Sequence, residues 1–145
     1  MRVMAIPRVG RWLQRLMKAS PKMVVKMMAS MGEKETIVKF PVQIEALVAE
    51  AKDPMAARVN ISELRAASSP LGFRSSMRVR PEQLRKLQTR TLLVWGDHDP
   101  VGSTKVAEAT RALIPSARLE ILPAGHAPWL GNLERTADLI SAFVR

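Results

Sequence analysis

The feature that most constrains the fold is a change of pattern near residue 91, where short apolar runs begin to alternate with helical spacing. Thr91–Trp95 is a nearly continuous apolar run that ends at Gly96, as expected for a buried strand of a parallel sheet. Residues 104–113 have helical spacing, residues 118–122 are predicted to form a second strand, and residues 133–144 have helical spacing again. Strand, helix, strand, helix predicts two parallel strands with a right-handed crossover, and hence an α/β protein.

The two C-terminal helices are each expected to pack inward through one apolar stripe. The predicted stripes are Val106, Ala109 and Leu113 in the first helix, and Leu133, Ala137, Ile140 and Val144 in the second.

The preceding part of the chain has helical patterns that proline and glycine interrupt. Ser20 and Pro21 predict a helix start, and Gly32 is placed to end that helix. Further helices are predicted from near residue 41 to near residue 53, and from about residue 60 or 62 to residue 67. Another short helix is predicted to begin at Pro81, and Trp12, Leu13, Leu16 and Met17 suggest an amphipathic helix near the N terminus.

Composition is that of a soluble globular protein, with 47% apolar and 25% charged residues among 145. The chain has no cysteine, so disulfides and thiolate metal sites are excluded, and its two histidines are too few for a His-rich metal site. No apolar run reaches the 18 or more residues that a transmembrane helix needs. We expect a cytoplasmic protein without a metal and without an integral membrane segment.

The net charge of +10 is concentrated before residue 91. Residues 1–90 hold 18 Lys and Arg against 7 Asp and Glu, whereas residues 91–145 hold 5 against 6. Strong positive charge can indicate a nucleic-acid partner or a membrane surface. These cations alternate with apolar helical positions, however, and the chain has no tyrosine on which bases could stack. A solvated basic face is therefore favoured, and no nucleic-acid partner is expected.

Residues suited to chemistry occur in the two loops that follow the predicted strands. In open α/β sheets, functional residues lie just past the C-terminal ends of the strands. The loop of residues 96–100 offers Asp97 and Asp99, and the loop of residues 123–129 offers His126. Imidazole is a base near neutral pH, and a carboxylate can hold its tautomer and stabilise its protonated form. An acid and histidine pair is one interpretation, and a loop histidine bonded to the backbone is the other.

The same loops resemble the C-terminal part of the α/β-hydrolase family. The matching stretches are LLVWGDHDP at 92–100 and ILPAGHAPW at 121–129, since in that family a G-x-x-D acid follows one strand and a G-H histidine the next. The resemblance implies that Asp99 is the catalytic acid and His126 the catalytic histidine. It leaves Asp97 to cap the turn and His98 without chemistry. It further implies a partial α/β-hydrolase fold, with a helical cap-like region at 1–80 and the C-terminal part of the core at 81–145.

The nucleophile of that family is missing from this sequence. A G-x-S-x-G elbow needs two glycines four positions apart, and no two of the seven glycines have that separation. No HGGG-like oxyanion segment is present either. The chain is therefore expected to correspond to the second half of a hydrolase, truncated before its nucleophile and inactive alone.

The activity that the resemblance implies is hydrolysis of an ester, or of a related acyl or C–C bond, in a small apolar substrate. It implies neither an organic cofactor nor a metal, and it leaves the oligomeric state open. The alternative is a noncatalytic interaction fragment, in which an exposed sheet edge pairs with a partner that completes the sheet.

Overall fold

A computed structural model describes residues 19–69, 72–75 and 78–145. The amphipathic helix predicted around Trp12 lies outside these residues. Within them the helices are α1 (Pro21–Ser30), α2 (Lys34–Ile37), α3 (Pro41–Lys52), α4 (Pro54–Ala67), α5 (Pro81–Arg85), α6 (Thr104–Leu113), α7 (Pro128–Gly131) and α8 (Leu133–Val144). The strands are β1 (Ser68–Ser69), β2 (Gly72–Phe73), β3 (Thr91–Gly96) and β4 (Ala117–Leu122). None of the helices in these ranges is long and apolar enough to cross a membrane.

Helix α1 begins and ends where the sequence predicts. The Ser20 hydroxyl accepts a hydrogen bond from the Met23 N–H (3.3 Å), as an N-cap residue does, and Pro21 occupies the first helical position. At the other end, Gly32 has a φ of 79°. Its N–H donates to the Ala29 carbonyl and the Glu33 N–H donates to the Met28 carbonyl, which together form a Schellman motif.

Helix α4 begins earlier than predicted, at Pro54 instead of residue 60 or 62. The Asp53–Pro54 pair both ends α3 and starts α4. The Asp53 carboxylate accepts a hydrogen bond from the Met55 N–H (2.9 Å), and the Asp53 carbonyl accepts one from the Ala57 N–H (3.0 Å). An aspartate followed by proline is a strong helix start as well as a helix end, which explains why α4 begins here.

The described residues fall into two compact units, each formed from two segments of the chain. One unit comprises the described residues within 19–24 and 42–79, and it contains α4, most of α3 and the antiparallel β1–β2 pair. The other comprises residues 25–41 and 80–145 and contains α2, α5 to α8 and the β3–β4 pair. The predicted division into a cap-like region and a core at residue 80 stays a prediction.

Strands β3 and β4 pair in parallel, as predicted. Their register runs from Thr91 opposite Ala117 to Gly96 opposite Leu122. Helix α6 is the crossover and contacts both strands, and α8 contacts β3. Because the paired strands end at the same level, the loops that follow them leave the sheet side by side.

The buried faces of α6 and α8 differ from the predicted stripes. Ala107 is fully buried in α6, whereas Val106 and Ala109 are exposed. In α8 the buried residues are Thr136 and Leu139, while Leu133, Ala137, Ile140 and Val144 are exposed. The buried line of α8 is thus turned by about 100°, one residue position, from the predicted stripe. Two described strands offer each helix a narrow surface, which covers less than the whole apolar face.

Candidate acid–histidine site

Hydrogen bonds hold the loops after β3 and β4 together. The Asp97 N–H donates to the Leu122 carbonyl (2.9 Å), and the His98 N–H donates to the Ala124 carbonyl (3.2 Å). In return, the Ala124 N–H donates to the Asp97 carboxylate (3.1 Å). These three hydrogen bonds fix the loop after β3 against the loop after β4 without using the side chain of Asp99 or His126.

Asp99 is anchored through one carboxylate oxygen and free to bond through the other. Its Oδ1 accepts hydrogen bonds from the Val101 N–H (2.7 Å) and the Gly102 N–H (3.3 Å), which close an Asx turn. The side chain is only 6% exposed. With Oδ1 held by its own loop, Oδ2 has a defined direction.

That second oxygen meets the histidine of the other loop. Asp99 Oδ2 lies 2.9 Å from His126 Nδ1, which is the juxtaposition that the parallel strand order predicts. With Nδ1–H donated to the carboxylate, the neutral ring carries its lone pair on Nε2. The imidazole is 49% exposed, and Nε2 has no hydrogen-bond partner among the described residues. The arrangement leaves an oriented ring nitrogen, on a half-exposed side chain, without a hydrogen-bond partner among the described residues.

The charge state of Asp99 suits this arrangement. Burial acts to raise the pKa of Asp99, but hydrogen bonds from His126 and from the Val101 and Gly102 N–H groups outweigh burial and lower the pKa below its ordinary value. Asp99 is therefore ionised at neutral pH. An ionised carboxylate can accept the Nδ1–H of the ring, which is the contact that the geometry shows.

Asp97 and His98 form a separate pair. The His98 Nδ1 lies against Asp97 Oδ1, and this hydrogen bond is the main cause of a lowered pKa of Asp97. Asp97 also accepts the Ala124 N–H, so its contacts are those of a loop cap. Among the described residues it has no hydrogen bond to His126. The division of roles between the two aspartates stays a prediction.

A comparison with solved structures identifies a similar fold. The structure of 2-hydroxy-6-oxo-6-phenylhexa-2,4-dienoate hydrolase (BphD) from Rhodococcus sp. strain RHA1 aligns with 96% of this chain and 49% of its own length. The TM-score is 0.64 and the sequence identity 16%. The fold resembles part of the α/β-hydrolase fold. No protein-family model and no curated protein sequence matches the chain.

The predicted fold class, a partial α/β-hydrolase fold, is thus confirmed. At this level of identity the likeness concerns the fold alone, and the chain spans about half the length of the similar structure. The roles of Asp99 and His126 as catalytic residues stay predictions.

A turn that the sequence interpretation assigned no function also contacts the histidine loop of this α/β-hydrolase-like fold. The Schellman motif after α1 leaves the Met31 carbonyl free, and this carbonyl accepts the His126 N–H (2.9 Å). Glu33, two residues on, accepts the Ala127 N–H through Oε1 (3.0 Å) and is 1% exposed. The backbone amides of His126 and of the next residue are therefore both held by the turn of residues 31–33.

The close approach of the turn to the loop depends on glycine. A Cβ added at Gly125 would overlap the Met31 carbonyl oxygen and lie 2.8 Å from the Gly32 carbonyl carbon. These neighbours are backbone atoms, so no side chain can move aside. The glycine before the histidine thus has a steric reason in this chain.

An open cleft of about 450 Å³ lies beside the turn and the loops. Its lining includes Lys34, Glu35, Lys39 and His98, but neither Asp99 nor His126. Within the described residues, no group of three or more acidic or histidine side chains is placed to hold a metal ion.

Proposed function

We propose that Asp99 and His126 are the acid and the histidine of a hydrolase, and that the nucleophile is supplied from outside these 145 residues. The observation that carries the proposal is the 2.9 Å contact between Asp99 Oδ2 and His126 Nδ1, on an imidazole that is 49% exposed and whose Nε2 has no hydrogen-bond partner among the described residues. The absence of an elbow motif from the sequence is the reason for placing the nucleophile elsewhere.

The chemistry follows from the ring geometry. His126 Nε2 takes the proton of a nucleophile hydroxyl as the hydroxyl oxygen attacks a carbonyl carbon of the substrate. The bond that then breaks joins this carbon to the leaving group, and it is an ester bond or a related acyl or C–C bond. The imidazolium so formed is stabilised by the ionised Asp99 and then protonates the leaving group. Water hydrolyses the covalent intermediate in a second step, in which His126 again acts as the base. The mechanism requires neither a metal nor an organic cofactor.

The proposed substrate is a small apolar molecule. Helix α1 presents several methionines, among them Met27 and Met28, and the flexible methionine side chain adapts to varied apolar ligands. The similar Rhodococcus structure is named as the hydrolase of a phenyl-substituted dienoate, which is also a small molecule with a large apolar part.

The test compares hydrolysis of p-nitrophenyl esters by two polypeptides, the 145-residue chain and a chain extended through its upstream reading frame to include a nucleophile segment. We expect the 145-residue chain to show no turnover above that of free imidazole and the extended chain to be active. In the extended chain, His126→Ala should lower kcat on the order of 10⁶-fold and Asp99→Asn on the order of 10⁴-fold.

Asp97→Asn is the matched control, because it removes the neighbouring acid but keeps an acceptor for the Ala124 N–H. It should leave kcat of the extended chain within about tenfold of wild type. An extended chain whose activity survives His126→Ala, or falls equally with Asp97→Asn and Asp99→Asn, would contradict the proposal. Hydrolysis by the 145-residue chain that is abolished by His126→Ala would place the nucleophile inside it.

One observation favours a second candidate, a noncatalytic fragment whose sheet is completed by a partner. Within the described residues, β3 and β4 pair only with each other, so each has an unpaired edge. Unpaired edges are templates for strand addition. The test is hydrogen exchange of the outward amides of β3 and β4 on addition of the upstream segment as a separate polypeptide. Protection without any hydrolysis would favour this function, and unchanged exchange would exclude it.

A further inference from the structure

We propose that Glu33 is a positioning residue that keeps the His126 imidazole on Asp99 by holding the backbone on the C-terminal side of His126. The proposal rests on the acid–histidine pair proposed above and adds to it a residue from the other end of the chain. Glu33 and Ala127 are 94 positions apart in sequence.

The contacts form a two-point clamp on the histidine loop. The Met31 carbonyl accepts the His126 N–H (2.9 Å), and Glu33 Oε1 accepts the Ala127 N–H (3.0 Å). The two N–H groups belong to the peptide groups on either side of the His126 Cα. Fixing both peptide groups restricts φ and ψ of His126, and with them the direction in which its side chain leaves the backbone. The turn of residues 31–33 therefore acts on the ring through the main chain.

The ring needs such a clamp because packing does not hold it. The His126 imidazole is 49% exposed, so few neighbours restrict its rotamer, whereas its partner Asp99 is 6% exposed and anchored by its own loop. One member of the pair is fixed by side-chain hydrogen bonds. The other depends on where its backbone is placed.

The burial of Glu33 shows that the carboxyl group has a specific use. Glu33 is 1% exposed, and its Oε2 is buried without a hydrogen-bond partner among the described residues. A buried polar atom without a partner destabilises the folded state, and an apolar side chain of similar volume would avoid that cost. The hydrogen bond that Oε1 accepts from the Ala127 N–H is what an apolar side chain cannot provide.

The experiment reads the tautomer of His126 by ¹⁵N NMR of the imidazole ring in the 145-residue chain at neutral pH. Wild type should show the Nδ1–H tautomer that Asp99 requires. Glu33→Ala should lose this tautomer in favour of a mixture, and Glu33→Gln, which keeps an acceptor oxygen, should restore it. Glu35→Ala is the matched control, because Glu35 lies in the same segment but is exposed, and it should leave the tautomer unchanged.

Backbone amide signals of β3 and β4 report whether each variant is folded. If Glu33→Ala does not fold, the decision rests on wild type and Glu33→Gln. The Ala127 amide should exchange at least about tenfold more slowly than an unprotected amide in both, and Glu33→Gln should keep the wild-type tautomer. An unprotected Ala127 amide in wild type, or a folded Glu33→Gln without the Nδ1–H tautomer, would overturn the proposal.

Failure of this proposal is distinguishable from failure of the proposed function. A wild-type ring without the Nδ1–H tautomer would refute the acid–histidine pair, and with it any positioning role. A wild-type ring with this tautomer that stays unchanged in folded Glu33→Ala would refute the role of Glu33 alone.

Discussion

Gly125→Ala tests whether the close contact between the histidine loop and the turn of residues 31–33 is as tight as the structure shows. The added Cβ would overlap the Met31 carbonyl oxygen and lie 2.8–2.9 Å from backbone atoms of Gly32. Real Cβ atoms essentially never approach other atoms closer than 3.0 Å. One of the two backbones must therefore move, and the hydrogen bond from the His126 N–H to the Met31 carbonyl is the first to lengthen.

The expected cost has two parts. Overpacking of a close contact costs roughly 1–3 kcal/mol, and loss of one hydrogen bond costs roughly 1 kcal/mol. The free energy of unfolding should therefore fall by about 2–4 kcal/mol. With a urea dependence of about 2 kcal/mol/M for a small unit, the unfolding midpoint should fall by about 1–2 M.

The assay is urea unfolding followed by tryptophan fluorescence in a Trp12→Phe background. Trp95 and Trp129 then report on the unit that contains Gly125, because both lie in it. Gly131→Ala is the control. Its Cβ would meet only the Thr36 side chain, at 3.2 Å, in a short helix where alanine is favoured over glycine. Its free energy of unfolding should stay within about 1 kcal/mol of wild type.

The result that would refute the reasoning is a Gly125→Ala midpoint equal to that of Gly131→Ala, with the wild-type His126 tautomer retained. The histidine loop and the turn would then have room for a methyl group. In that case the glycine before His126 would need another explanation.

Three further predictions concern the two acids of the loop and the C-terminal helix. The pKa of Asp99 is lower in the folded than in the unfolded chain, so its contribution to the free energy of unfolding is complete above the unfolded carboxyl pKa and is lost as the pH falls through the folded value. In urea titrations at several pH values, Asp99→Asn should therefore make the free energy of unfolding less dependent on pH below about pH 4. Leu139→Ala should lower the free energy of unfolding by roughly 2–4 kcal/mol, whereas Leu133→Ala, at an exposed position of the same helix, should change it by less than about 0.5 kcal/mol by the same titration. Asp97→Ala should speed amide exchange at Ala124, and Asp97→Asn should not, because only asparagine keeps an acceptor; equal exchange in both variants would contradict this.

The parts of the site that sequence predicts are those set by local rules and by the crossover. Serine and proline at the start of α1, and the glycine after it, are local signals that hold regardless of the rest of the fold. A helical connection between two neighbouring strands predicts that β3 and β4 are parallel, which brings Asp99 and His126 to one edge of the sheet. Neither inference needs knowledge of the packing.

What the sequence could not predict depends on packing between distant segments. The apolar stripe of α8 predicts that one face packs, but the buried residues are Thr136 and Leu139. Which line of the helix is buried depends on how the helix sits against its neighbours. The contact of Glu33 with the histidine loop could not be predicted for a similar reason, because its hydrogen-bond partner Ala127 is 94 positions away in sequence. The one local signal is an acid directly after a helix-ending glycine.

The parallel register of β3 and β4 also bears on where the chain can be lengthened without changing the site. The strands meet from Thr91 opposite Ala117 to Gly96 opposite Leu122. Residues added between the end of α6 and the start of β4 lie outside the loop that holds Asp99, so they lengthen the connection without changing that loop. An extra residue within β4, by contrast, would turn every following side chain to the opposite face. The connection between α6 and β4 is therefore the part of the crossover in which we expect insertions, grafted loops or a reporter domain to be accepted while Asp99 and His126 keep their separation.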